Sequence, residues 1–248
     1  PARPGGPAAP SLAQLGADAA RTSPPERHER PLPLSVTHRR LYRVEVFFDL
    51  QEMDASSGLT MTFDKTRDRL VLSTGLQTKE GVAWGHFDDN IASTGWSELY
   101  IDTATEGMVT NDVRAYAAGY VEGVLTSVRL SEFNANMRQL LLRKDQQTGS
   151  LAQVRSLMSR KLKYMEQGAN VDRRAMAEEP SDHYWKQMRY TLFQMWGICD
   201  GYNKVARFFR RHELDLLDLV MLNAAGELPQ LMEAFTRRAR AARAAAAP

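Results

Sequence analysis

The side chains that can do chemistry are few and scattered. The histidines are His28, His38, His86, His183 and His212. No two of them stand at the spacing of a metal-binding pair, so no metal site is expected. His86, in "AWGHFDDN", is the most suggestive, because Asp88 and Asp89 follow it. A histidine beside carboxylates can act as a general base; on a polar helix it would be an exposed surface group instead. Asp88 and Asp89 are adjacent, so on a helix they project about 100° apart and form no catalytic carboxylate pair by themselves. The single cysteine, Cys199, lies among large apolar residues in "MWGICDGY". One cysteine excludes an intrachain disulfide and any cysteine cluster, and in that company it reads as a small buried hydrophobe rather than a nucleophile. The chain contains no GxSxG, HExxH or P-loop motif, and no glycine-rich dinucleotide fingerprint in context. No catalytic, cofactor-binding or metal-binding residue is therefore assigned, and no cofactor is expected.

The elements that would position such groups follow from pattern. "LYRVEVFFDL" (41–50), "GLTMTFD" (58–64) and "RLVLSTG" (69–75) are short, β-branched or aromatic runs. The last two flank the charged turn "KTRD" and predict a hairpin. In "GVAWGHFDDNIASTG" (81–95), Ile91 with Trp84 or Phe87 predicts one helical face, closed by Gly95 as a C-cap. "WSELYIDT" predicts one more strand.

A helix then opens at Asn111, a residue able to cap it. Val113, Ala117, Val121 (or Tyr120), Val124 and Val128 recur along it at helical steps. This helix is oddly thin: Ala115, Ala117, Ala118, Gly119 and Gly123 stand where larger groups are usual, and interior glycine costs a helix roughly 1 kcal/mol against alanine. Something must approach it closely.

Further helices are predicted after Ser150 (Leu151, Val154, Met158, Leu162, Met165), after Ser181 (Trp185, Met188, Leu192, Met195) and over 213–222, resuming at 230–235. The Met and aromatic stripes read as core. The pairs Arg173-Arg174 and Arg210-Arg211 and the run "RKDQQ" read as solvated faces. Strands first and helices after make an α+β chain.

Composition limits the rest. The 248 residues are 43% hydrophobic and 25% charged, ordinary for a globular protein. No run approaches the roughly 18 apolar residues of a membrane span. Residues 1–35 hold eight of the eleven prolines and predict an extended or disordered arm. Residues 236–248, "TRRARAARAAAAP", carry four arginines and no acid, so a net charge of +2 leaves the remainder at −2. Such a tail can touch nucleic acid or membrane, but reads first as a solvated or trimmed end. A body near −2 offers no broad basic face, so nucleic acid is not an expected partner.

The order of segments resembles the N-terminal part of the phospholipase B-like proteins. The linked features are Ala83-Trp84, Asn90-Ile91, Thr94-Gly95-Trp96, Asn111-Asp112 and Ala115-Tyr116-Ala117-Ala118-Gly119, with Glu122 after them. A second match is "DHYWKQMRYTLFQMWGICDGYN" (182–203), and a third is "LDLVMLNAAGELPQLMEAF". Together they span about residues 58–235. The resemblance implies an N-terminal nucleophile hydrolase fold, two stacked antiparallel sheets between helical layers (αββα), completed by a second chain. It implies a precursor cut so that a cysteine heads that larger companion chain, with residues 36–235 as the smaller partner and 236–248 as tail or cleaved linker. It also implies a lysosomal or secreted protein, although the chain has no N-x-S/T sequon and no second cysteine.

Two functions follow as expectations. The first is one chain of an amidase- or lipase-type hydrolase, whose nucleophile is the companion's cysteine with its own α-amine as base. In it, Trp84 and Trp96 either line a pocket wall or sit in the core. The alternative is a catalytically inactive member of the same fold that serves as a scaffold or interaction subunit in a larger assembly.

Overall fold

The computed structural model describes residues 42–246, apart from 78, 106–108 and 172–177. The proline-rich arm, His28, His38 and the Arg173-Arg174 pair lie outside the described residues. The chain opens with strands β1 (Val44–Val46), β2 (Leu59–Asp64), β3 (Arg69–Thr74) and β4 (Gly81–Asp88), then a one-turn helix α1 (Ile91–Thr94) and strand β5 (Glu98–Thr103). Six helices follow: α2 (Asn111–Leu125), α3 (Ser127–Thr148), α4 (Leu151–Gly168), α5 (His183–Phe208), α6 (Leu216–Asn223) and α7 (Leu228–Ala245). The α+β order expected from the sequence is present.

The five strands form one mixed sheet in the order β1-β3-β2-β4-β5. β1 runs parallel to β3, and the other neighbours are antiparallel. The hairpin across Lys65–Asp68 pairs Asp64 with Arg69, and Asp68 supplies the positive φ (46°) that so tight a turn requires. Alternation sends Leu59, Met61, Leu70, Leu72 and Ala83 to one face, where all are buried. That face is covered by α2, which lies against β2, β4 and β5.

Residues 81–88 correct the sequence reading. They form a strand, not part of a helix, and the helix that Gly95 closes (φ 82°) is only Ile91–Thr94. Gly81 and Gly85 weaken the period-2 signal, since neither presents a side chain. Gly85 has none because the β5 backbone lies there: a β-carbon would fall on the carbonyl oxygen of Tyr100. The caps shift by one residue as well. Thr110, not Asn111, caps α2 by accepting from the Val113 amide (3.5 Å), and Asp182, not Ser181, caps α5 by accepting from the Trp185 amide (3.1 Å).

The thin helix is explained by α5. A β-carbon at Gly119 would land on the carbonyl oxygen of Gln194, and one at Gly123 on that of Ile198. Reciprocally, Gly197 faces the Tyr116 carbonyl and Gly201 the Tyr120 carbonyl. The contact positions rise together along both helices, so α2 and α5 run parallel, backbone against backbone. Two charged groups lock their start. Arg189 of α5, 3% exposed, grips the Asp112 carboxylate of α2 through Nε (2.9 Å) and Nη2 (2.7 Å), and Nη1 donates to the Asn170 carbonyl (2.8 Å). A second core holds the remaining helices together through Val154, Tyr202, Leu214, Leu228 and Met232. Within it Ser150, which precedes α4 without capping it, donates to the Met232 carbonyl of α7 (2.8 Å).

Candidate functional site

The antiparallel register of β4 and β5 builds the surface with the most chemistry. Trp84 lies opposite Asp102, His86 opposite Tyr100 and Asp88 opposite Glu98. All six therefore share the sheet face that points away from α2. The His86 ring stacks on Tyr100, with centroids 5.5 Å apart and planes inclined at 23°. The Tyr100 hydroxyl donates to Asp102 (3.1 Å), and that bond, with the carboxylate's charge, holds the phenol above its usual range. His86 Nε2 stands 3.8 Å from Asp88, an electrostatic approach too long for a hydrogen bond. Its Nδ1 is buried and has no hydrogen-bond partner among the described residues.

Asp88 and Asp89 divide as neighbours on a strand end do. Asp89 leaves the ribbon face and accepts from Arg129 Nε (2.7 Å) and Nη2 (2.8 Å) of α3 and from Ser97 (3.0 Å). Burial alone would raise its carboxyl. The hydrogen bonds from Arg129 and Ser97 and the guanidinium charge outweigh that and hold it below the ordinary carboxylate range. Asp89 is thus a clamp joining β4, the β5 approach and α3, and the 100° separation expected on a helix gives way to a strand end.

Trp84 is half-buried in mid-strand; a β-carbon on Gly81 would meet its ring at 2.8 Å. Trp96 lies beyond the other end of the ribbon, in the turn before β5, and is 79% exposed. Four residues of β4, about 13 Å at strand rise, separate Trp84 from the Asp88–Glu98 pair that Trp96 adjoins. A wall that used both tryptophans would run the length of the ribbon. Leu99 and Ile91 are also exposed at that end.

Among the described residues, His86 is therefore a base candidate with no nucleophile shown hydrogen-bonded to it. Ser97 is committed to Asp89. Cys199 sits in the main core, 1% exposed and not disulfide-bonded, where substrate has no access. Among the described residues, no three His, Cys, Asp or Glu groups converge as metal ligands. Tyr100 and the Arg129–Asp89 clamp were missed by sequence reading. Had 81–88 been read as a strand, antiparallel pairing with 98–103 would have placed Tyr100 beside His86.

Comparison with known proteins adds what geometry cannot. The family model described as "Phospholipase B" matches residues 83–247, two thirds of the chain. The chain belongs to the phospholipase B family. Among its relatives, phospholipase-B 81 of Drysdalia coronoides is 28% identical over 167 residues, 66% of this chain and 28% of the relative. Phospholipase B of Crotalus adamanteus is 28% identical over 63% of this chain and 27% of its own length. Phospholipase B-like 1 of Homo sapiens is 24% identical over 68% of this chain and 29% of its own. This phospholipase B chain thus spans less than a third of the relatives that it matches. No described helix is long and apolar enough to cross a membrane.

Proposed function

We propose that this chain is the part of a phospholipase B-like hydrolase that carries no nucleophile. The assembled protein hydrolyses amide or ester bonds, lipids among its substrates, with a catalytic cysteine at the start of a companion chain cut from the same precursor. The observation that carries this reading is the outer face of the β4–β5 ribbon. It presents Trp84, His86, Tyr100 and exposed carboxylates, and among the described residues no helix packs broadly on it and the one cysteine is buried elsewhere. A sheet face of this kind is expected to meet another layer, and in these relatives the matched segment is less than a third of the length. The second sheet of an αββα sandwich is the layer we assign there, with residues 36–235 as the smaller partner, 236–248 as the tail, and a lysosomal or secreted setting.

The companion's α-amine, whose ordinary pKa is about 8, takes the thiol proton. The sulfur then attacks the carbonyl carbon, the leaving group departs with that proton, and water releases the acyl group. The ribbon's part is to wall the cleft: Trp84, and Trp96 at the far end, supply apolar contact. N-terminal sequencing of the mature protein's larger chain tests the reading. Cysteine at its first position, together with ester or amide turnover by the assembly, supports it. Any residue other than cysteine, serine or threonine there supports instead the inactive scaffold, a reading that the exposed arginine helix described next also suits.

A further inference from the structure

Several guanidinium groups in the body of the molecule are paired with carboxylates. Arg129 binds Asp89 and Glu132, Arg155 binds Asp218, Arg189 binds Asp112 and Arg207 binds Glu213. The second half of α7 gathers four arginines with no such pair among the described residues. The helix is anchored by Leu228 and Met232, both fully buried, and by the Thr236 hydroxyl, which donates to the Thr148 carbonyl of α3 (3.1 Å). Every residue from 237 to 246 is exposed, and helix persists to Ala245. The segment expected to be a solvated or trimmed end is thus a helix that stands clear of the body for about 13 Å.

On it, Arg237, Arg240 and Arg243 follow one another at three-residue steps, within about 120° of the helix circumference, and Arg238 flanks them. No carboxylate among the described residues lies within ion-pair distance of these four; Glu233, one turn before Arg237, is engaged by Lys144. The positions between them are alanine, which sustains helix without tertiary support and leaves the guanidiniums unscreened. Only Arg243 falls in the last turn, where a cation answers the helix dipole; the other three need another explanation.

We propose that this arginine stripe docks the protein on an anionic phospholipid surface. The chemistry fits in three respects. Guanidinium forks match phosphate oxygens bidentately. A row of fixed cations close to an anionic bilayer gains binding energy per residue. The absence of large apolar groups on the stripe means that binding stays at headgroup level and is reversible. Nucleic acid fits less well, because the stripe holds no aromatic for base stacking and the remaining chain is net negative. The proposal accords with lipids as a substrate class but does not need turnover to be tested.

The experiment is co-sedimentation of the full-length protein with vesicles of phosphatidylcholine and phosphatidylserine at 3:1, and with phosphatidylcholine alone. The wild type is expected to bind the mixed vesicles, to release as salt rises towards 0.5 M, and to ignore the neutral ones. Arg237→Gln/Arg240→Gln/Arg243→Gln should weaken binding on the order of 100-fold, with unchanged circular dichroism, while the corresponding triple Lys variant retains it. If the Gln variant misfolds, the comparison is made between the Lys variant and a Glu variant. Equal binding to neutral vesicles, unaltered binding by the Gln or Glu variant, capture of an oligonucleotide in place of vesicles, or no vesicle binding would each overturn the proposal. Turnover of a short monomeric ester is measured in parallel. Its absence would count against the hydrolase reading and leave the vesicle result standing.

Discussion

At Asp89 and Glu122 two carboxylates of one chain are pushed in opposite directions, with opposite consequences for stability. Asp89 is held below the ordinary carboxylate range, burial being outweighed by Arg129 and Ser97. A carboxyl whose folded pKa is depressed stabilises the fold above its unfolded value, near 4, and loses that contribution as pH falls towards the folded value. Asp89→Asn should therefore lower the melting temperature at pH 7, and the gap from wild type should shrink below about pH 4. Glu122 is the reverse case. Burial beside α5 raises its carboxyl, against a smaller opposing effect from the Gln194 amide (3.2 Å). A raised carboxyl makes ionisation costly to the fold, so the penalty is absent below the unfolded value and present in full above the folded one. Glu122→Gln should raise the melting temperature at pH 7 and leave it unchanged near pH 4. Thermal melts across this range check both, and a Glu122→Gln protein less stable at neutral pH would mean that the carboxylate has a partner worth more than its burial.

The parallel pair of α2 and α5 is the element on which the rest depends. Overpacking an interior costs typically about 1–3 kcal/mol. Gly119→Leu and Gly123→Leu meet backbone carbonyls, which cannot rotate aside as a side chain can, so the upper end of that range or failure to assemble is expected. On a solvent-facing helix the same changes would stabilise by several tenths of a kcal/mol, so calorimetry gives opposite signs for the two arrangements. Arg189→Met would leave the Asp112 carboxylate buried without its bidentate partner, a change of about 3–5 kcal/mol for such pairs.

The sequence announced the close approach through the small residues Ala115, Ala117, Ala118, Gly119 and Gly123. It did not identify α5 as the neighbour, since that requires knowing that Gly197 and Gly201 come round to the same seam. Helix α3 was legible only as a continuation to Val128. Its buried positions include the polar Ser127 and Asn134, and the consecutive leucines 140–142 blur the period around Leu141, so the periodic signal is weak. The ribbon was half legible. β5 alternates, but β4 places glycine at two of its eight positions and ends in paired aspartates, so its strand character shows only once β5 pairs with it. Trp84, His86 and Asp88 were noticed singly; that they share a face follows from the strand.

For the whole molecule, the sheet ends at β5 with an exposed edge, and Trp96, Leu99 and Tyr100 are open to solvent there. Proteins cover, charge or pair such edges, and a chain spanning less than a third of its relatives leaves ample polypeptide to do so. Residues 36–235 expressed alone should therefore aggregate or stay molten, with no cooperative monomeric unfolding transition. The most direct test of the central claim, that the nucleophile lies outside this chain, is a turnover assay on the assembled protein in two variants. Cys199→Ala should fold and retain ester or amide hydrolysis, because its thiol is enclosed in the core, while alanine in place of the cysteine heading the companion chain should abolish it. Loss of turnover in a folded Cys199→Ala protein, or full activity without the companion's cysteine, would contradict the account.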